Sequence, residues 1–279
     1  MNTILITGAN GFLGKSLNRY FSSKGYNTLA CTRQELDVSN PNKVKNFLQD
    51  HSVDIVLHTA VKGGRRNHKD NPEDYVTNLK MFNNLLNNKD QYSILINFGS
   101  GAEFDRARDI SNFEESRIYD QLPSDYYGRS KNVISRKIVE LNEHLYNFRL
   151  FGCFGKNEEE NRLIKVLKSG IEKNTEVTID AKKEMDFFYD QDVCRAIGFY
   201  ISNFKKQDLP RDVNLTYPEK FNLKQISDIV ENRLGSHNPN LILKNEDVKN
   251  YTGSSKTFNK TFPRDIFVGF IQGLNEVCK

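Results

Sequence analysis

Tyr127 and Lys131 stand four residues apart in Tyr126-Tyr-Gly-Arg-Ser-Lys131, so on a helix they share one face. A phenol near its reference pKa of roughly 10 is a poor proton shuttle at neutral pH. A neighbouring ammonium favours the phenolate and should draw that value down. The pair then suits proton transfer to or from an oxygen undergoing reduction or oxidation. Tyr126 with Ser130 is the adjacent register and offers no cation. Y-x-x-x-K also occurs as an ordinary surface pair, so it needs company. Ser100, in Phe98-Gly-Ser-Gly101, can hydrogen-bond the same oxygen, although a serine in a glycine-rich turn is often only a turn residue. The third feature is the opening stretch, Thr3-Ile-Leu-Ile-Thr-Gly-Ala-Asn-Gly-Phe-Leu-Gly14. Gly8 can turn sharply out of a strand, Gly11 lets backbone approach a pyrophosphate, and Gly14 lets a helix pack close to a sheet. The free N–H groups of such a helix favour an anion. The spacing is G-x-x-G-x-x-G rather than the common G-x-G-x-x-G.

The elements that must position these groups read as follows. Ile4–Ile6 is an apolar run short enough for a buried strand, and Lys15–Phe21 is the helix after the glycine turn. Tyr26–Cys31, Asp54–Leu57, Ser93–Asn97 and Tyr146–Leu150 read as further strands. Helices are expected from Pro41 to Gln49, from Pro72 along the stripe Tyr75, Leu79, Phe82, Leu85 and Leu86, and from Asp125 to Glu143. Strands alternating with helices over short connections predict an α/β, doubly wound parallel sheet. Ser100 then lies at the carboxyl edge, where open α/β sheets bind ligands. The segment from Glu103 to Asp125 is charged and aperiodic, and a loop that long inside a domain is usually functional. Beyond Gly155 the alternation weakens, with helices expected at Glu158–Lys173, Gln191–Phe204, Leu223–Arg233 and Arg264–Glu276.

At 279 residues the chain can bury a substantial core without disulfides. Cys31, Cys153, Cys194 and Cys278 are widely spaced and form no C-x-x-C pair, which predicts reduced thiols and no metal site. No basic-then-apolar leader or membrane-length apolar run is present, so the expectation is a cytoplasmic protein without a membrane partner. Net charge is +4 with the signs interspersed, which suits a small anionic ligand and argues against a nucleic-acid partner. The densest basic cluster, Lys62-Gly-Gly-Arg-Arg-Asn-His-Lys69, reads equally as a solvated loop or a ligand contact.

Together these stretches resemble the extended short-chain dehydrogenase/reductase superfamily, the NAD-dependent epimerases, dehydratases and reductases of nucleotide sugars. Thr7–Gly14 matches its cofactor turn, and His58-Thr-Ala60 matches the stretch after its third strand. Asn78 followed by Asn84-Leu-Leu86 matches its N…nLL helix, and Tyr127 to Lys131 its Y-x-x-x-K. Arg149-Leu-Phe-Gly-Cys-Phe-Gly155 resembles R-x-x-N-x-Y-G, with Gly152 where asparagine is usual. Met185-Asp-Phe-Phe-Tyr-Asp-Gln-Asp192 resembles R-D-F-x-x-V-x-D. Within the superfamily the likeness is greatest to the GDP-fucose synthase type of reductase, through Cys31–Asp37, Lys62-Gly-Gly64 and Phe98–Phe104.

The resemblance implies a Rossmann-type dinucleotide-binding domain over 1–155 and a smaller mixed α/β substrate lobe over 156–279, some elements of which return to the first domain. It implies that Ser100, Tyr127 and Lys131 are catalytic. Cofactor contacts would come from Gly8, Asn10, Gly11, Phe12, Leu13 and Gly14, then Arg33, Asp37 and Val38, then Thr59, Ala60, Val61 and Lys131. Substrate contacts would come from Lys62, Gly63, Ala102, Glu103, Arg162 and Lys165. An arginine past the second strand suits the 2′-phosphate of NADP(H), whereas NAD sites carry an acid there; Glu35 and Asp37 keep NAD(H) in play. The GDP-fucose synthase type epimerises before it reduces, using a cysteine and a histidine. Here Ala102 takes the cysteine position, and Gly155–Arg162 holds no histidine. Met185 replaces an arginine that commonly meets substrate phosphate, with Lys182, Lys183, Arg162 and Lys165 as candidate substitutes. The expected activity is therefore reduction of a 4-keto-6-deoxy nucleotide-diphosphate sugar without epimerisation, in deoxysugar synthesis for surface polysaccharide, by a homodimer. A 4-epimerase with tightly bound NAD is the runner-up, a dehydratase using Glu103 comes third, and a non-enzymatic cofactor sensor on the same fold is the remaining alternative.

Overall fold

In the computed structural model, which describes residues 2–279 apart from 65–68, 142 and 246–247, the chain begins β1 (Thr3–Thr7), α1 (Phe12–Ser23), β2 (Asn27–Cys31), α2 (Pro41–Asp50), β3 (Ile55–His58), α3 (Pro72–Leu86) and β4 (Ile94–Ser100). It continues through β5 (Ile110–Phe113), α4 (Tyr126–Leu141), β6 (Leu145–Leu150), β7 (Cys153–Phe154), α5 (Leu163–Lys173), β8 (Val177–Asp180) and β9 (Phe188–Tyr189). The last elements are α6 (Asp190–Asn203), β10 (Asp212–Leu215), α7 (Leu223–Leu234), β11 (Leu241–Lys244), β12 (Tyr251–Gly253), α8 (Lys256–Thr261) and α9 (Phe270–Val277).

Six strands form one parallel sheet in the order β10-β6-β4-β3-β1-β2. Because side chains alternate along a strand, the central strands feed two cores. Ile4, Ile6, Ile55, Leu57, Ile94 and Ile96 face the layer that holds Leu17 and Phe21 of α1 and Val193 and Ile197 of α6. Leu5, Val56 and Leu95 face Val44, Phe82, Leu85, Ile134 and Ile138 on α2, α3 and α4. The helix starts are encoded locally. Asn40 accepts from Lys43 N–H ahead of Pro41, and Asn71 and Asp74 form a capping box around Pro72. The chain leaves β1 toward β2 on one side and returns to β3 on the other, so a crevice opens at the carboxyl ends of β1 and β3.

In the second half, β10 completes the large sheet and α6 packs on α1, so these elements return to the first half of the chain. Two helices there depart from the sequence reading. The expected helix over Glu158–Lys173 starts only at Leu163, because Glu158 and Arg162 close turns onto Gly155 O and Glu159 O. The expected helix over Arg264–Glu276 is broken. Asp192 captures the N–H groups of Val268 and Gly269 at 2.9 and 2.8 Å, and α9 starts after Gly269. Short parallel pairs, β5 with β12, β7 with β9 and β8 with β11, flank the sheet. Arg65, Arg66, Asn67 and His68 of the basic cluster lie outside the described residues. Among the described residues, no helix is long and apolar enough to cross a membrane. All four cysteines are free and buried, and burial raises each thiol's pKa, that of Cys31 to about 11.

Beneath the carboxyl edge lies a fully buried ion cluster. Arg149 of β6 donates through Nε to Glu103 at 2.7 Å and through Nη2 to Asp212 of β10 at 2.6 Å. It also reaches Asn214 at 2.9 Å and Ser135 at 3.0 Å. Replacing Arg149 with alanine leaves two buried carboxylates uncompensated, which costs about 3–5 kcal/mol. A denaturation midpoint unchanged in Arg149→Ala would contradict this assignment.

Candidate active site

At the end of β1 the chain turns on Gly8, whose φ is +70° and whose Cβ, if present, would lie 2.8 Å from the Ala60 backbone. A Cβ on Gly14 would lie 2.6 Å from Gly8 O, so α1 can start directly against the turn only with glycine there. The Gly11 N-cap offers no side-chain bond to the first N–H groups of α1, which leaves them for an anion. Asn10 and Gly11 are exposed, and Phe12 and Leu13 are half-buried at the rim. Thr59 binds Thr7 O at 2.6 Å, and Ala60 N–H bonds the Thr7 hydroxyl at 3.3 Å. Val61 is exposed beyond them. At the end of β2, the Arg33 side chain is 72% exposed, with Asp37 at 3.6 Å. Val38 is buried. This cradle fits the pyrophosphate and adenosine of a nicotinamide dinucleotide.

The loop after β3 runs from that cradle to Tyr127. Its Ala60 touches Gly8, and its Gly64 lies against the Tyr127 ring, where a Cβ would meet Cε2 at 2.6 Å. Asn78 fixes the loop by accepting from Lys62 N–H at 2.8 Å and donating to Lys62 O and to Ser130 Oγ, each at 3.0 Å. Lys62 itself pairs with Glu73 at 3.2 Å. Gly63 precedes the Gly64 N–H, which donates to Asp70 at 2.8 Å. Ser100, at the end of β4, faces Tyr127, and its hydroxyl favours the ionised phenol.

The expected tuning of Tyr127 by Lys131 is replaced by a different arrangement. Lys131 Nζ donates to Phe98 O at 2.6 Å. Burial lowers its pKa to about 8 against the pull of Glu103. Burial raises the Tyr127 phenol above its ordinary value, opposed by Ser100, Arg106 and Arg162. Tyr127 is thus held protonated. Beside Lys131, burial takes His58 down to about 3, and this neutral ring pairs with Thr7 at 2.9 Å.

Residues 4–216 match the sequence pattern of the NAD-dependent epimerase/dehydratase family. The chain belongs to that family. It is 26% identical over 254 residues to the GDP-L-colitose synthase of Yersinia pseudotuberculosis, covering 83% of this chain and 82% of that one. Its fold is similar to that of a Campylobacter jejuni GDP-mannoheptose C4 reductase with NADP bound, at TM-score 0.83 and 19% identity over 99% of this chain and 96% of that one. It is similar also to a Naegleria fowleri GDP-L-fucose synthetase bound to NADP, at TM-score 0.81 and 17% identity over 99% and 91%.

Against the epimerase/dehydratase pattern, two of the expected substrate contacts are placed elsewhere. Ala102 and Glu103 have no exposed surface. The Glu103 carboxylate bonds Ser100 N–H at 2.8 Å and Arg149, so it braces the serine turn from behind. Arg162 caps α5, and its charge reaches Tyr127. Lys165 pairs with Glu160 at 3.5 Å. The sequence reading missed Arg106, which lies 5.6 Å from the Tyr127 ring centroid and is held by Asp70 at 3.2 Å and Asp125 at 2.7 Å. It also missed Tyr251, whose hydroxyl lies 3.4 Å from Ser100 Oγ. No motif marks either residue.

Near Arg162, Glu158 is only 5% exposed, and its Oε1 has no hydrogen-bond partner among the described residues. Burial raises its pKa from 4.5 to about 8, against Arg162 and Lys165. Between those values the folded protein keeps a proton that the unfolded chain has lost, so stability falls as pH rises from about 4.5 to about 8. Glu158→Gln should therefore raise the thermal midpoint by a few degrees above that range and leave it unchanged below it. A midpoint lowered in alkaline buffer would show that the ionised carboxylate is stabilising.

Proposed function

We propose that the protein is an NADPH-dependent reductase of a 4-keto-6-deoxy nucleotide-diphosphate sugar. The observation that carries this reading is the single loop after β3 that joins the glycine cradle to Tyr127, with Ser100 facing the same phenol. The nicotinamide, when bound, supplies the hydride for the carbonyl carbon. Tyr127 gives its phenolic proton to the developing alkoxide, and Ser100 holds that oxygen by a hydrogen bond. Burial keeps the phenol protonated at neutral pH, so the proton to be donated is present, while Ser100, Arg106 and Arg162 oppose the rise that would make it a weaker acid. Lys131, one helical turn beyond on the same face, would bind the nicotinamide ribose. Arg162, whose charge reaches Tyr127, is favoured over Lys182, Lys183 and Lys165 for the substrate phosphates. The GDP-sugar enzymes among its relatives support a GDP-linked substrate.

NADP(H) is favoured over NAD(H) because the acids near Arg33 are already engaged. Glu35 accepts from Thr32 N–H at 2.7 Å, and Asp37 accepts from Ser39 N–H and Oγ at 3.0 and 2.6 Å. The Arg33 guanidinium remains largely exposed for a 2′-phosphate. Ala102 cannot relay protons, so the product should keep its configuration at carbons 3 and 5.

With NADPH and a panel of 4-keto-6-deoxy nucleotide sugars, the wild-type protein should consume cofactor and yield the 4-hydroxy product. Tyr127→Phe should lower turnover by roughly 10²–10⁴-fold while still binding NADPH. Arg33→Ala should lower kcat/KM with NADPH by about tenfold or more and leave the NADH value unchanged. Purified protein that carries NAD and interconverts sugars with no cofactor added would instead be a 4-epimerase.

A further inference from the structure

Ser100 and Tyr251 are 151 residues apart in the chain, yet their hydroxyls meet at the carboxyl edge of the sheet. The approach is built from several sides. The Tyr251 backbone donates to Glu184 O at 2.9 Å and accepts from Asp186 N–H at 3.2 Å, while β12 pairs with β5 on its other edge. Its ring meets Phe151 edge-on at 5.4 Å. Gly101 leaves the room, since a Cβ there would lie 2.8 Å from Tyr251 Cζ.

We infer that Tyr251 is a positioning residue that aims the Ser100 hydrogen at the reacting oxygen. A serine hydroxyl has one hydrogen and two acceptor positions. The inner acceptor position of Ser100 is shared by the backbone N–H groups of Ala102, at 3.2 Å, and of Glu103 in the capping box. A phenol is far more acidic than an aliphatic alcohol, so in the Tyr251–Ser100 contact the phenol donates and the serine accepts. Burial raises the Tyr251 pKa further and keeps it protonated for that purpose. With both acceptor positions filled, the Ser100 hydrogen has only the outward direction left, toward Tyr127 and the oxygen that Tyr127 protonates. The 3.4 Å spacing is the loose one common to catalytic hydrogen bonds before reactants bind. A hydroxyl that accepts two hydrogen bonds is also polarised into a stronger donor.

This role rests on the reductase reading, and the experiment separates the two. Tyr251→Phe keeps the ring against Phe151 and removes only the hydroxyl. It should lower kcat by about tenfold, the effect of one neutral hydrogen bond, with KM for the nucleotide sugar and NADPH affinity unchanged. Ser100→Ala should cost more, and Tyr251→Phe in the Ser100→Ala background should cost nothing further, because the tyrosine acts only through the serine. Unchanged kcat in Tyr251→Phe, or losses that multiply in the double variant, would overturn the proposal. In protein carrying [ζ-13C]tyrosine, Tyr251→Phe should shift the Tyr127 resonance when Ser100 is present and not when it is alanine. That spectrum judges the hydrogen bond even if wild-type protein reduces no sugar in the panel, an outcome that would remove the reductase reading alone. A Tyr127 resonance indifferent to Tyr251, or moved equally in both backgrounds, would overturn the relay.

Discussion

The buried guanidinium of Arg149 is the constraint on which the carboxyl edge of the sheet depends. It sits between Glu103, from the turn that follows β4, and Asp212, from β10. It thereby ties the edge strand, its neighbour and the serine turn to one charge. Burying three ionised groups is expensive, and such a cluster is a poor source of net stability. What it provides is a single arrangement, because any shift of the turn separates charges that no water can reach. Glu103 transmits this to Ser100, since its other oxygen holds the Ser100 N–H. A residue that the family likeness placed against substrate is instead the brace behind the serine.

The phenol and the ammonium of the Y-x-x-x-K pair share a helix face, but they serve different surroundings. Lys131 is drawn inward to the Phe98 carbonyl and lies near the neutral ring of His58. Tyr127 lies under Gly64 and beside Arg106, whose two aspartate partners come from the loop before α3 and from the start of α4. The cations that bear on the phenol therefore come from outside its own helix.

What the sequence disclosed was what local chemistry determines. The glycine turn, the helix starts at Pro41 and Pro72, the apolar strand runs and the four-residue spacing on α4 are each set by neighbours in the chain, and the first half of the fold follows from them. The second half was less legible because its short strands are stabilised by partners far away. β10 reads as a strand only once β6 lies beside it, and α9 is delimited by Asp192 rather than by any signal of its own. The same reason hid Arg106 and Tyr251. Each acts through a contact made by folding, and neither stands in a pattern that marks it. The pKa of Tyr127 was misjudged because spacing reports a shared face and says nothing of burial, which is the larger effect here.

The four cysteines sit at different depths of the chain's packing. Cys31 ends the edge strand β2, and Cys278 follows α9 and packs in the main core beside which Cys153 and Cys194 also lie. Each thiol is covered and has its ionisation suppressed by burial, so it cannot attack an alkylating reagent until its surroundings open. The protein thus carries four internal clocks. The alkylation rates of Cys31 and Cys278 time the fraying of an edge strand and of the chain's last helix, and those of Cys153 and Cys194 time the breathing of the core itself.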